Sequence, residues 1–551
     1  MKFINNSAKA GGAALSLGVM SLGQIAFSQA PGALDQPALQ GVVPDVTAVV
    51  DTKYGKVQGF KDRGISEFLG LRYAKPPLGD LRFMPPEPLE SWAGIADATT
   101  LGAPAMQMYS VSGPKTTTFT RQMQSIFPTL AEEKFDNEDA LFLNVWTPDA
   151  DDKKRPVMVW FHGGGYAYGS GGWAAYDGRN LAEKGDVVVV TVNHRLNVFG
   201  YLYLGDKFGE DFASSGNVGN LDLVASLEWV RDNIEAFGGD PDNVTIMGES
   251  GGGSKVSHML ATPAADGLFD KAIIQSGPGV TSGSKEAAAK LADLFLETAG
   301  IETLEQLRAM PAEDILSYAR EALATEGATG NFSPIVDGTV LPRHPFIPAA
   351  PEQSKDVPII IGWNKDEMTI FNAAQEWFGT LTDEGLAKMA PTLGATGPAL
   401  VENYREMHPD YSPSHLFNSA MTARFIQGTY TLGDQKARQG GAPVYMYQLY
   451  YDTDANDGVF KSPHTLDIPY MFNNVEETRV LAGSGDDPLK LEAMMSDAWI
   501  SFAKTGVPSS ELLPEWTPYE PSERAVMRFD VEPSVVNDPE KGAREILSAA
   551  N

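Results

Sequence analysis

Cysteine is absent from the 551 residues, which excludes a disulfide framework, thiolate metal sites and a cysteine nucleophile. Cations are in short supply too: 42 Lys and Arg stand against 72 Asp and Glu, a formal charge of −30. Nucleic-acid binding draws its affinity from clustered cations that release counterions, so this balance argues against a nucleic-acid partner. No segment offers about eighteen uninterrupted apolar residues, so the mature chain is expected to lack an integral membrane segment. Histidine is limited to seven positions: His162, His194, His258, His344, His408, His415 and His464. Apolar residues, by contrast, are present in ordinary measure. At 43% hydrophobic and 21% charged, the composition is that of a globular protein with a large core and not of a disordered chain.

Residues 1–30 read as a signal peptide. Met1 to Ala10 carries Lys2 and Lys9 as its only charges, Gly11 to Phe27 is small and apolar apart from serines and Gln24, and cleavage is expected after Ser28 or Ala30. The competing reading is a disordered cytosolic N-terminus. The signal implies a secreted or periplasmic protein, and without cysteines such a protein need not depend on an oxidising compartment. Residues 31–46, rich in Pro, Gly, Ala and Gln, read as a linker, and residues 47–551 as one large domain.

Within that domain, Thr47 to Phe60 predicts a hairpin. Pro156 to Phe161 and Asp186 to Val192 are continuous β-branched and aromatic runs, as are Asn243 to Met247 and Val357 to Ile361. Such runs predict strands buried on both faces of a parallel sheet. Leu221 to Phe237 alternates with them at helical spacing and stops at Gly238-Gly239. The alternation predicts a doubly wound α/β fold. Helical insertions are expected near 282–330, without strands and with a capping box at Thr303-Leu-Glu-Gln306, and near 382–425. Both read as a cap over the sheet. Beyond Val531 little apolar periodicity remains, and the tail is expected to be partly mobile.

Gly248-Glu249-Ser250-Gly251-Gly252 follows an apolar run and precedes a helix expected over Lys255 to Leu260. Small residues around the serine let a strained strand-to-helix turn lift its hydroxyl above the sheet edge. His162-Gly163-Gly164-Gly165-Tyr166 follows the strand ending at Phe161, the place of an oxyanion loop. Glycines allow backbone amides to approach a developing negative oxygen, each donor being worth about 3 kcal/mol of barrier. A serine needs a base. In the chain order Ser, acid, His only the last four histidines qualify. Of these, His464 alone follows a strand-like run, Val444 to Tyr450, through a polar loop. The acid is sought after Val357 to Ile361, where Asp366 and Glu367 compete and spacing does not choose between them.

These motifs, together with Phe68 to Pro77, Glu138 to Pro148, Asn193 to Leu196, Phe237 to Pro241, Pro334 to Gly338 and Trp499 to Gly506, resemble the type-B carboxylesterases. That α/β-hydrolase family includes cholinesterases and bacterial esterases, and the resemblance runs from about Val49 to Phe529. It implies a carboxylic-ester hydrolase acting on small-molecule esters; no metal or other cofactor is expected, since no HExxH or comparable metal-ligand spacing appears. By resemblance Ser250 is the nucleophile, Glu367 the acid and His464 the base, with Gly164, Gly165 and Gly251 as oxyanion donors. It also implies ion pairs of Arg82 with Glu138 and of Arg195 with Asp222.

The sequence departs from that pattern in places. Ala140 stands where many relatives have cysteine, so a loop around 103–135 is expected to be mobile. Gly251 replaces a frequent alanine and is expected to loosen the elbow slightly, and Met368 replaces a glycine beside the acid. Met106, Met108, Tyr109, Phe119, Trp173, Phe371 and Trp377 are candidates for an apolar gorge. Two lesser motifs fail on detail. Gly248 to Lys255 has phosphate-loop spacing with Lys and Ser inverted, and Asp452 to Gly458 lacks the glycine and closing glutamate of a calcium loop. The competing functions are a non-catalytic binding protein on the same scaffold and an amidase or carbamate hydrolase.

Overall fold

Runs of Val, Ile and aromatic residues build the sheet. The computed structural model describes residues 47–108, 136–328 and 330–550. The expected signal peptide and linker lie outside them, as do Tyr109, Phe119 and most of the 103–135 loop. The expected hairpin is β1 (Thr47–Asp51) and β2 (Lys56–Asp62). After it come β3 (Ile65–Arg72), β4 (Ile95–Asp97), β5 (Phe142–Thr147), β6 (Arg155–Phe161), β7 (Val188–Val192), β8 (Gly239–Glu249) and β9 (Lys271–Gln275). A small pair, β10 (Gly283–Ser284) and β11 (Ile335–Val336), precedes β12 (Ile359–Asn364), β13 (Val444–Leu449), β14 (Ala525–Phe529) and β15 (Ser534–Asn537). The main sheet has the order β1-β2-β3-β5-β7-β6-β8-β9-β12-β13-β14-β15, with β4 beside β2. Strands β7 through β14 of that order are parallel, and the flanking strands are antiparallel.

Successive side chains of a strand point to opposite faces, and here both faces are covered. Val157, Val159 and Phe161 of β6 enter a core shared with Leu223 and Leu227 of the helix Val218–Asn233. Met158 and Trp160 enter the opposite core with Leu491 and Trp499 of the helix Asp487–Thr505. This is why the strands read as unbroken apolar runs and not as alternating ones.

Strand order reverses at β6: β7 lies on one side of it and β8 on the other. Loops leaving β6 and β8 therefore diverge over a crevice at the strands' C-terminal ends, where α/β folds place their sites. The paired ends, Phe161 beside Gly248, set the loop starting at His162 next to Ser250.

Several expectations need correction. The run Val357 to Ile361 becomes a strand only from Ile359 and extends to Asn364, because Pro358 has no N–H to give a ladder. The 282–330 region holds the expected helices Lys285–Thr298, Leu304–Ala309 and Ala312–Ala324, and Thr303 and Gln306 form the capping box. It is not free of strands, since Gly283–Ser284 pairs with Ile335–Val336. Its helices pack through Phe295, Ile315 and Leu316 on Phe83, Val198 and Tyr201. The 382–425 region is helical throughout most of its length and reaches the site through its last residue, Phe425. The tail is tied down by β15 and by the helix Lys541–Ser548. Buried Glu540 accepts hydrogen bonds there from Tyr404 Oη (2.7 Å) and Gln448 Nε2 (3.0 Å), contacts too distant in sequence to show as periodicity.

Candidate active site

Ser250 stands between β8 and the helix Gly251–Met259 (the elbow helix) with φ 58° and ψ −122°, a conformation costly for a residue with a Cβ. The turn fits because glycines stand at 248, 251 and 252. A Cβ at Gly252 would lie 2.0 Å from the Phe161 carbonyl oxygen, and one at Gly248 2.5 Å from Gly252. Ser250 N–H donates to Gln275 O (2.8 Å), and Ser254 N–H donates to Ser250 O (3.1 Å). These bonds hold the turn between β9 and its own helix.

The glycine loop after His162 lies against this elbow. Gly164 and Gly165 have φ +86° and +62°, which glycine adopts without penalty. Among the described residues, no backbone hydrogen bond uses the amides of Gly164, Gly165 or Gly251. A Cβ at Gly251 would sit 2.5 Å from the Gly165 nitrogen and 2.3 Å from its oxygen. Glycine at 251 therefore has a steric reason of its own. It makes room for Gly165 to close on the elbow.

Glu367 follows β12, and His464 lies in the loop after β13. His464 Nδ1 is 2.5 Å from Glu367 Oε2, and the other carboxylate oxygen, Oε1, accepts from Asn364 N–H (2.8 Å). Asp366 faces elsewhere. Its Oδ2 accepts from Ser462 N–H (3.3 Å) and lies 3.6 Å from Lys365 Nζ, and burial raises it to about 6. Of the two carboxylates that spacing left open, Glu367 is the one in contact with the imidazole. Met368 does not disturb this seat; its N–H donates to Thr422 Oγ1 (3.3 Å).

The imidazole's other nitrogen lies near a group that sequence reading passed over. His464 Nε2 lies 3.1 Å from Glu249 Oε1, and no hydrogen bond joins it to Ser250 Oγ among the described residues. Glu249 was visible only as the variable residue of the elbow motif, and its alternation along β8 was the available signal. Burial raises its carboxyl well above the ordinary range, although His464 pulls it down. Burial lowers His464, yet the carboxyls of Glu249 and Glu367 outweigh that effect and raise it. These two buried groups thus shift each other in opposite directions next to Ser250. Asp467, also missed, accepts from Tyr447 Oη (2.6 Å) and Gln275 Nε2 (2.8 Å) beneath the histidine loop.

Of the gorge candidates, Phe371 meets the site: it is 50% exposed and its ring lies 4.9 Å from that of His464. Phe425, not foreseen, is 37% exposed and sits edge-on to the same ring at 5.7 Å. Met106 and Met108 pack on the Phe83 cluster, Trp173 on Tyr176, and Trp377 on Phe417. Other histidines have structural partners; His415, for example, contacts Ser412 Oγ and Val459 O. Both implied ion pairs form. Arg82 Nε donates to Glu138 Oε2 (2.7 Å), and Arg195 Nε and Nη2 donate to Asp222 (2.8 and 2.6 Å). Ala140 is buried beside Ala105 and Leu196. In the calcium-like loop Asp452 pairs with Lys365 and Lys461 (2.5 and 3.1 Å).

A doubly wound sheet with a serine elbow after one central strand and a glycine loop after its neighbour defines an α/β-hydrolase. The Carboxylesterase family model matches residues 46–546, and the chain belongs to that family. It is 36% identical over 512 residues to para-nitrobenzyl esterase of Bacillus subtilis (strain 168), covering 91% of this chain and 98% of the relative. Among solved structures, a carboxylesterase of Geobacillus stearothermophilus matches with a TM-score of 0.76 at 37% identity, covering 90% of this chain and 99% of that one. An esterase from anaerobic Clostridium hathewayi, described as able to hydrolyse aliphatic aromatic polyesters, matches with a TM-score of 0.78 at 33% identity over 92% and 99% of the two chains. The protein is a carboxylic-ester hydrolase.

Proposed function

We propose that ester hydrolysis runs through an acyl-enzyme on Ser250. His464 Nε2 takes the hydroxyl proton as Oγ attacks the ester carbonyl, and the Gly164, Gly165 and Gly251 amides bind the oxygen that becomes negative. The imidazolium then gives its proton to the leaving alcohol, and water repeats the sequence to release the acid. Glu367 holds the tautomer and stabilises the imidazolium. The observation that carries this reading is the 2.5 Å contact from Glu367 to His464 Nδ1, which leaves Nε2 directed at the elbow. Half-exposed Phe371 and Phe425 flank the same imidazole and favour esters with an apolar group next to the scissile bond. Ser250→Ala is expected to lower turnover of p-nitrophenyl acetate roughly a million-fold with an unchanged circular dichroism spectrum, and to abolish stoichiometric labelling by an organophosphate. Retained turnover would remove Ser250 from the reading.

We further propose export to the periplasm or medium, supported by the charge and apolar pattern of residues 1–30. Cell fractionation with N-terminal sequencing of the mature protein tests it. An intact Met1 on cytosolic protein would overturn it.

A further inference from the structure

The elbow helix carries a lysine that the triad does not use. Lys255 is fully buried, and its Nζ donates to His162 O (2.8 Å), the carbonyl at the root of the oxyanion loop. Among the described residues no carboxylate lies within ion-pair distance of it. Its Nζ lies 5.6 Å from the centre of the Tyr166 ring, and the stacked His162 and His194 imidazoles feel its charge. Burial lowers the ammonium to about 7, and both imidazoles are pushed well below their ordinary value, by burial first and by Lys255 second. A buried amine without a counter-charge is costly to keep, and methionine would fill the same space, so packing does not account for it.

Its position accounts for it. Residues four apart share one helix face, so Gly251 and Lys255 present a single stripe to the loop. Gly251 meets Gly165, Lys255 holds His162, and Ser254 Oγ reaches Tyr166 Oη (2.8 Å). The loop's three consecutive glycines, each free to turn, are thus anchored at both ends by one helix. The peptide unit is planar, so fixing the His162 carbonyl also fixes the Gly163 N–H and the point from which Gly164 and Gly165 set out. We propose that Lys255 is a positioning residue for the oxyanion loop, its Nζ holding the His162 carbonyl so that the Gly164 and Gly165 amides face the reacting oxygen above Ser250. This rests on the oxyanion reading given under Proposed function.

The test compares the full-length protein with Lys255→Met, which keeps the stem and removes the donor. A second variant, Lys255→Leu, decides the matter if the first does not fold. Each is assayed with p-nitrophenyl butyrate and with an alkyl trifluoromethyl ketone. Ser250 Oγ adds to the ketone carbon, its proton passes to His464, and the carbonyl electron pair moves to the oxygen; no group leaves, so the adduct reports on oxyanion stabilisation with no leaving-group step. The expected result is a kcat lower by about 10- to 100-fold, a KM within threefold of wild type, and ketone affinity weakened by the same factor as kcat/KM. A folded variant with kcat and ketone affinity within twofold of wild type would overturn the role of Lys255. A wild-type enzyme that binds the trifluoromethyl ketone no better than the matching methyl ketone would instead overturn the oxyanion reading, and the inference with it.

Discussion

His464 is held between two carboxyls, with Glu367 Oε2 2.5 Å from Nδ1 and Glu249 Oε1 3.1 Å from Nε2. In the mechanism proposed above, the first contact orients the base, and the second places a carboxyl in competition with the serine hydroxyl for the nitrogen that takes its proton.

That competition sets a pH dependence. An unperturbed histidine predicts loss of activity below roughly pH 6, but both carboxyls raise His464, and a raised base is still protonated where a free one is neutral. The acid limb of kcat/KM is therefore expected above pH 6.5, as a macroscopic property of the Glu249–His464 pair. Glu249→Gln removes the carboxyl with the largest single raising effect, the others being Glu367 and Asp467, and is expected to move that limb down by about one pH unit. A pH–rate profile of both proteins measures it, and coincident limbs would refute the coupling.

Glu367 and Asp366 are adjacent, yet the first contacts the imidazole and the second contacts Lys365 and Ser462. Glu367→Gln is expected to cost about ten-thousand-fold in kcat, since it leaves the imidazole in the wrong tautomer. Asp366→Asn is expected to stay within a few-fold. Parallel steady-state kinetics separate the two, and the reverse ranking would reassign the acid.

A Cβ at Gly251 would fall 2.3–2.5 Å from Gly165. Gly251→Ala must then push the oxyanion loop away from the elbow, and kcat is expected to fall by at least about tenfold with little change in KM. Unchanged kinetics would show that the loop yields without cost.

Arg195 and Asp222 form a buried pair, their side chains 4% and 0% exposed, and Arg195 N–H also donates to Asp222 Oδ2 (3.0 Å). Asp222→Ala leaves that guanidinium uncompensated and is expected to cost about 3–5 kcal/mol in urea denaturation. A loss below about 1 kcal/mol would mean that water or rearrangement satisfies Arg195.

Local chemistry made much of this legible in one dimension. Unbroken apolar runs announced β6, β7 and β8, because a strand covered by helices on both faces has no polar side to display. Glycines around Ser250 and after His162 announced the elbow and its loop, because only glycine admits those backbone angles and approaches. Lys271 to Gln275 and Ala525 to Phe529 were not recognised as strands, being short runs with no turn chemistry to frame them. The order of the strands, the docking of the tail through Glu540, the contact of Glu367 and not Asp366 with His464, the approach of Glu249 to the same ring and the hydrogen bond from Lys255 to His162 O are seen in the tertiary structure alone. Each depends on which groups, often more than ninety residues apart, share a space without water, and the strength and direction of a charge interaction are set by that space and not by sequence spacing.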